Sequence, residues 1–514
     1  MINLSDILFT DLYQLTMGQV YFREGLAETS SHFEHYFREY PDYGNHQAGF
    51  CVSAGMGSLL NWMDSARFNK SVLRSLQEIR DPVGKTLFSQ DFLSHLDQIG
   101  GFDSLSIRSV PEGRIVHRNT PMTVVEGPMI AAQLLETALL AKLNYQTLIA
   151  TRAARIRHAG RSQLVLDFGM RRGQDTGANA GSRAALIGGA DYSSNVGVSQ
   201  YLGIEPRGTH AHSMVQVFLA LGMEEIDAFR AYARSYPDQC LLLVDTVDTL
   251  NSGVPNAIRV FEELKRKGHR PVGIRLDSGD LAYLSIQSAK MLDAAGFDNA
   301  GIALSNNLDE LAIWQIITQI EQEASRYGID ADNLIKRLSF GVGTRMITSE
   351  GDSSLGGVYK LVAVEQGGQW RPAMKLSESA SKTPSPGKKK LTRLYDQRGF
   401  AAVDLVSTEE EEIDVSKDNT VHHPVEAGKS RVLKAGAISQ SEDLHVDVFK
   451  DGTSLIGQEP LDVLRARRVA DLESLDPGVM RLVNPHIYHV SLSDKLWNLR
   501  SELIADLRGR RPDG

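Results

Sequence analysis

Between Leu164 and Val342 the chain interleaves five short apolar runs with five longer amphipathic segments. The runs are Leu164–Phe168, Cys240–Asp245, Val272–Asp277, Gly301–Ser305 and Leu338–Val342. Their length and near-continuous hydrophobicity suit strands covered on both faces. The segments Ala178–Gly189, Met214–Tyr236, Pro255–Lys267, Leu281–Ala295 and Leu308–Tyr327 carry a helical period. Gly268, Gly296 and Gly328 stand where a helix ends in a left-handed residue. Strands alternating with helices make a parallel sheet covered by helices. So many consecutive units predict an α/β fold whose centre is a closed or nearly closed (βα) barrel.

The flanks follow other periods. His32–Arg38 and Ala48–Val52 read as strands and Leu59–Gln77 as a helix. Met129–Ala150 is the most apolar long stretch, but Glu136 and Lys142 interrupt a helical period, which predicts a buried helix and not a membrane span. Beyond Gly356, Val358–Glu365 and Trp370–Leu376 flank Gly367–Gly368 as a hairpin, and Arg393–Asp396 with Phe400–Ser407 form a second. Ser379–Lys390, rich in Ser, Pro and Lys, reads as a mobile loop, Glu409–Glu412 as a solvated charge run, and Ser493–Arg508 as a helix. The expected organisation is an N-terminal α+β segment over 1–110, a barrel carrying the site over 111–355, and a C-terminal segment over 356–514 that packs with the first.

Composition narrows the function classes. With 55 basic and 64 acidic side chains the formal charge is −9, the wrong sign for a dedicated nucleic-acid binder. Two cysteines, Cys51 and Cys240, far apart in 514 residues, argue against a disulfide scaffold or a Cys-based zinc site. The N-terminus has acids and no basic n-region, unlike a signal peptide. A soluble, cytoplasmic protein is expected.

In parallel α/β folds the chemistry gathers at the C-terminal ends of the strands. Those ends read Asp167–Arg172, Val244–Thr249, Ile274–Asp280, Leu304–Asn307 and Gly341–Thr344, with Arg207–Ser213 between the first two. Glycine turns offer backbone N–H groups to phosphate, arginines make bidentate anion contacts, and aspartates hold Mg²⁺. The mixture suits a phosphorylated, Mg-bound substrate. Each element alone is weak, since a strand-terminal Asp often only caps the next helix. Asp167-Phe168-Gly169 lacks the companion motifs of a kinase, and Gly341–Thr344 lacks the Lys of a P-loop. His210 and His212 have no Cys or Glu at metal spacing.

Thr10-Asp11-Leu12-Tyr13-Gln14-Leu15-Thr16-Met17, the turn containing Phe168, Gly208-Thr209…His212-Ser213, Val244–Thr249, Gly273–Leu281 and Gly341–Thr344 occur in this order. Together they resemble the nicotinate phosphoribosyltransferase family, within the type II phosphoribosyltransferases, from about Thr10 to Lys360. The resemblance implies transfer of phosphoribose from phosphoribosyl pyrophosphate (PRPP) to nicotinate, giving nicotinate mononucleotide and pyrophosphate in NAD salvage. It implies coupling to ATP hydrolysis through a phosphohistidine at His212, which falls on the family motif, with His210 as the rival carrier and Asp245 or Asp277 orienting the ring. Nicotinate then falls to Phe168, Thr209, Arg275 and Tyr13, the last from a partner in a homodimer with a shared site. PRPP and its phosphates fall to Arg171, Ser305, Asn306, Gly341, Gly343 and Thr344, and Mg²⁺ to Asp245 and Asp277. On this reading Phe168 and Tyr13 sandwich the pyridine ring and Arg275 selects the acid over the amide. The other readings are a nicotinamide-using sibling enzyme, a type I phosphoribosyltransferase suggested by Leu241–Gly253, and a non-catalytic metabolite-binding protein on the same fold. The type I motif opens a small open-sheet domain, which this chain exceeds, and His212, Arg275 and Asp277 are all present.

Overall fold

The computed structural model describes residues 6–376, 383–426 and 428–509. The chain divides into two compact units, Arg152–Ser353 and Met1–Thr151 with Ser354–Gly514.

The apolar runs of the first of these form β1 (Leu164–Asp167), β3 (Leu241–Leu243), β4 (Gly273–Leu276), β5 (Gly301–Ser305) and β6 (Leu338–Val342), joined by a short β2 (Tyr192–Ser193). All pair in parallel, in the order β2-β1-β6-β5-β4-β3. This is the expected parallel sheet of an α/β fold. The hydrogen-bonded ladder runs from β2 at one end to β3 at the other. The helices Gly177–Gly188, Val254–Arg266, Leu281–Ala294 and Glu310–Glu323 follow the predicted segments closely. Gly268, Gly296 and Gly328 all have φ between 75° and 85°.

Met214–Tyr236, expected as one helix, is two: His212–Ala220 and Glu225–Ser235. Gly222 takes φ 80°, and the Asp227 carboxylate accepts the Glu224 N–H at 3.1 Å to start the second. The apolar period survived the break, so the sequence concealed it. Leu59–Gln77 is likewise two helices, Met56–Ser65 and Lys70–Gln77, the second capped by Asn69.

The other unit weaves both ends of the chain together. Ser30–Phe37 lies between Thr123–Pro128 and Gly357–Gln366, antiparallel to each, in a seven-stranded sheet. The edge expected at 110 therefore moves to 151. Thr123–Pro128 is an interior strand of this sheet, and Met129, Ile130, Leu135, Leu139 and Leu143 fill its core. Both hairpins form, Gly357–Gln366 with Gln369–Pro372 and Lys389–Asp396 with Ala401–Thr408. The second lies in a six-stranded sheet that Asp494–Gly509 packs against. Of the Ser379–Lys390 loop, residues 379–382 lie outside the described residues. Lys389 and Lys390 begin a strand, and Lys389 is buried against Glu34 at 3.1 Å. Glu409–Glu412 is only partly a solvated run. Glu409 pairs with Arg108 at 2.5 Å and Lys388 at 3.0 Å, and Glu411 accepts from Ser493 Oγ at 2.6 Å.

An ionic knot is buried within this unit. Arg393, fully buried, donates to both oxygens of Asp404 at 2.8 and 2.9 Å, to Asp471 at 3.2 Å and to the Ile115 carbonyl at 2.8 Å. Arg114 bridges Asp471 and Glu442. A buried charge is tolerable only with its hydrogen bonds answered, and removing one partner of such a set costs about 3–5 kcal/mol.

Burial also keeps His35, His117 and His445 neutral, pushing them from 6.5 to about 4, about 3 and about 4. The unfolded chain takes up protons below pH 6.5 that the fold refuses. Their stabilisation is therefore complete above pH 6.5 and drains away as pH falls towards 4, by up to about 1.4 kcal/mol per pH unit for each histidine. Thermal melts should show the unfolding temperature falling between pH 7 and pH 5. An unchanged melting temperature across that range would contradict it.

Candidate active site

The site gathers at the C-terminal ends of β1, β3, β4, β5 and β6, and Asp245 is its hub. Asp245 follows β3, with 1% of its side chain exposed. Its Oδ1 meets His212 Nε2 at 3.0 Å. Its Oδ2 accepts the Asp277 N–H at 3.1 Å and the Ser278 hydroxyl at 2.5 Å. Of the two candidate aspartates, Asp245 is the one that orients His212. A carboxylate requires an N–H opposite, so Nε2 carries a proton, and it is Nδ1 that offers a lone pair in the neutral ring. His212 opens the helix His212–Ala220 and its side chain is 36% exposed.

Arg275, on β4, donates through Nε to Ser305 Oγ at 2.8 Å and through Nη2 to Asp277 Oδ1 at 3.0 Å, and Nη1 faces Thr209 Oγ1 at 3.5 Å. Ser305 in turn donates to Asp277. The guanidinium thus shapes the loop through Asp277 while its Cζ lies 5.3 Å from the centre of the Phe168 ring. Phe168 rests on Gly341. A Cβ built there would stand 2.4 Å from the ring, so only glycine admits it.

Beside this cluster are two turns suited to phosphate. Asn306 and Asn307 follow β5 exposed, with φ of 116° and 46°, a conformation asparagine tolerates better than most side chains. Neither Ser305 nor Asn306 caps the next helix: Asp309 does, accepting from Ala312 N at 2.8 Å. Gly343 and Thr344 lead into the turn Thr344–Ile347. The two turns are clasped by an ion pair between Asp309 and Arg345, with buried Arg152 and Arg155 on Glu310 beneath, each at 2.9 Å. Sequence reasoning missed this clasp, although Asn307-Leu308-Asp309-Glu310 before an apolar run is a helix-start signal. Arg171 lies exposed in the Met170–Arg172 turn. Asp167 was also missed. Fully buried, it accepts from Gly169 N and Ser193 Oγ and pins the Phe168 turn.

Leu164, Tyr192, Leu241, Arg275, Ala303 and Gly341, from all six strands, line a cavity of about 310 Å³. The sheet therefore curls around it. His210 is buried against Tyr232 and Phe229, and burial pushes its pKa down to about 4. Tyr13 belongs to the other unit and stands exposed in the first turn of the helix Leu12–Arg23. Among the described residues no group of three or more His, Cys, Asp or Glu side chains converges as a metal site.

A curled α/β sheet whose strand ends present an arginine, a carboxylate-held imidazole and two anion-suited turns is the architecture of an enzyme gripping a phosphorylated substrate. The chain matches the nicotinate phosphoribosyltransferase (NAPRTase) N-terminal domain over residues 8–144, the NAPRTase family over 164–398 and the NAPRTase C-terminal domain over 388–500. It is 36% identical to nicotinate phosphoribosyltransferase of Bacillus subtilis, across 98% of this chain and 96% of that one. To the human enzyme of that name it is 32% identical, across 97% and 96%. The crystal structure of human nicotinic acid phosphoribosyltransferase superposes with a TM-score of 0.80 at 30% identity, covering 96% of this chain and 99% of that one. Nicotinate-nucleotide pyrophosphorylase from Pyrococcus furiosus shares the fold, with a TM-score of 0.63 at 20% identity over 92% and 97% of the two chains. The chain belongs to the nicotinate phosphoribosyltransferase family.

Substituting Gly341→Ala should push the Phe168 ring off its seat. On the expectation that Phe168 stacks on the pyridine, steady-state kinetics should show the KM for that substrate rising by about tenfold or more, a loss of roughly 1.4 kcal/mol of binding. Unchanged kinetics would mean that Phe168 does not contact the substrate.

Proposed function

We propose that this chain transfers the phosphoribosyl group of PRPP to nicotinate, forming nicotinate mononucleotide and pyrophosphate for NAD salvage, and that ATP hydrolysis drives the reaction through a phosphohistidine at His212, as in a ligase. The observation that carries the reading is the His212–Asp245 pair at the edge where Arg275, Asp277 and Ser305 converge. The pyridine nitrogen attacks C1′ of the ribose, the bond from C1′ to the pyrophosphate oxygen breaks, and both electrons leave with pyrophosphate. No protein nucleophile is needed, so the site's work is positioning and charge stabilisation.

Phe168 presents a flat apolar ring to the pyridine, and Tyr13 of the partner subunit closes the sandwich. Stacking of this kind is worth about 0.5–1.5 kcal/mol beyond burial. Arg275 and Thr209 face the carboxylate, which favours the acid over the amide. The turns at Ser305–Asn306 and Gly341–Thr344 take the phosphates, and Arg171 the leaving pyrophosphate. Both Asp245 oxygens are engaged within the protein, whereas Asp277 is 30% exposed. Asp277 is therefore the residue that fits Mg²⁺ or its water. Mg²⁺ would neutralise the departing pyrophosphate. We read the curled sheet as a barrel, its gap between β2 and β3 filled by the segment before His212.

His212 acts on ATP, not on the base. With its proton on Nε2 held by Asp245, Nδ1 attacks the γ-phosphorus. The bond to ADP breaks, and Asp245 stabilises the ring as it becomes cationic. His212→Asn should lose ATP hydrolysis while still forming product from nicotinate and PRPP at a reduced rate. Measuring ADP and nicotinate mononucleotide together checks this, and ADP still appearing in step with product would rule out the assignment.

The helix His212–Ala220 has Val215 as its single buried residue and leaves Val217 and Leu219 exposed, continued by exposed Leu221 and Met223. Exposed apolar side chains of this number beside the site suit a second copy of the chain. Sedimentation should show a homodimer, which Val217→Glu with Leu221→Glu converts to monomer. No helix among the described residues is long and apolar enough to cross a membrane.

A further inference from the structure

His210 and His212 stand two residues apart in a run that joins no backbone ladder with β3. Each imidazole nevertheless bonds to β3 or its end at the same offset. His210 Nε2 accepts the Leu243 N–H at 3.1 Å, and His212 Nε2 donates to Asp245 Oδ1 at 3.0 Å, both across 33 positions. The run thus lies in parallel register along the end of β3, with two side-chain rungs in place of backbone bonds. On its other side the Arg207 N–H donates to the Ser193 carbonyl of β2 at 3.0 Å. The segment therefore spans the two ends of the hydrogen-bonded sheet.

The two rungs differ in kind. Leu243 is buried, and an N–H there must find an acceptor. Accepting it requires a lone pair on His210 Nε2, so the ring is neutral with its proton on Nδ1, which faces the Ala211 carbonyl at 3.4 Å. The ring is held further by Tyr232, 4.9 Å between centres, and by Phe229 at 6.5 Å. A slip of one residue along β3 would displace His212 by about 3.3 Å and turn its side chain away from Asp245.

We propose that His210 is a positioning residue for the phosphoryl-carrying histidine: its bond to Leu243 sets the register in which His212 meets Asp245. The proposal rests on the reading of His212 given above. His210 is not a second carrier, because its Nε2 lone pair is already spent on the Leu243 N–H.

The test uses the full-length enzyme with three substitutions. His210→Phe keeps the aromatic packing without an acceptor. His210→Asn has an acceptor too short to reach, and serves should His210→Phe not fold. His210→Gln places an amide oxygen near the position of Nε2. Hydrogen exchange is followed at the Leu243 amide, alongside ADP formed per nicotinate mononucleotide and the rate of product formation without ATP. In His210→Phe and His210→Asn, exchange at Leu243 should quicken and ATP coupling should fall, each by about tenfold or more. ATP-independent transfer should stay within about threefold, and His210→Gln should restore both exchange protection and coupling. Intact coupling in His210→Phe and His210→Asn, an equal fall in coupled and uncoupled rates, or no rescue by His210→Gln would each overturn the proposal. His212→Asn is run in parallel. If it still couples ATP, the phosphohistidine reading fails, and the exchange data alone then judge the register.

Discussion

A carboxylate removed from water must have its charge answered by donors held in place, and Asp245 receives them from two other strand-end segments. His212 comes from the segment between β2 and β3, and Asp277 N and Ser278 from the end of β4. Because these donors converge on one group, the ends of β3 and β4 and the start of the histidine's helix cannot move independently. The same carboxylate sets the tautomer of His212 and the backbone position of Asp277, which in turn holds Arg275 and Ser305. An electrostatic requirement at one buried atom pair thus propagates into the shape of the whole strand-end surface.

Close packing does comparable work where charge is absent. Phe168 lies against the bare backbone of Gly341, and Gly169 is packed by Ile347 and the Gly343 carbonyl. Asp167 ties the same turn to β2 through Ser193. The aromatic face is therefore set by the β1, β2 and β6 ends, while the imidazole is set by those of β3 and β4. The ion pair of Asp309 with Arg345 links the two turns suited to phosphate in the same manner. In the other unit, Arg393 with Asp404 and Asp471 plays the equivalent structural part.

Much of this was legible before any coordinates. Five apolar runs of strand length announced the parallel sheet, because strands covered on both faces must be apolar throughout. Polar residues at the ends of those runs announced the site. Other features left no local trace. Met214–Tyr236 keeps its apolar period through Gly222, so periodicity could not reveal the break. Thr123–Pro128 looked like part of the central unit because its partner strands, Ser30–Phe37 and Ser106–Ser109, pair with it by long-range contacts.

The division between what was written in the order of residues and what had to await folding follows from the range of the forces involved. Helical period, glycine ends, turn chemistry and the identity of the strand-end residues are local properties, and the sequence by itself determined them. Which aspartate holds His212, that His210 serves the backbone of β3, and that Arg275 divides itself among Ser305, Asp277 and Thr209 were decided only in the tertiary structure. Each depends on strand register and side-chain direction between residues 2 to 66 positions apart. A shift of one position in either would have chosen different partners from the same residues.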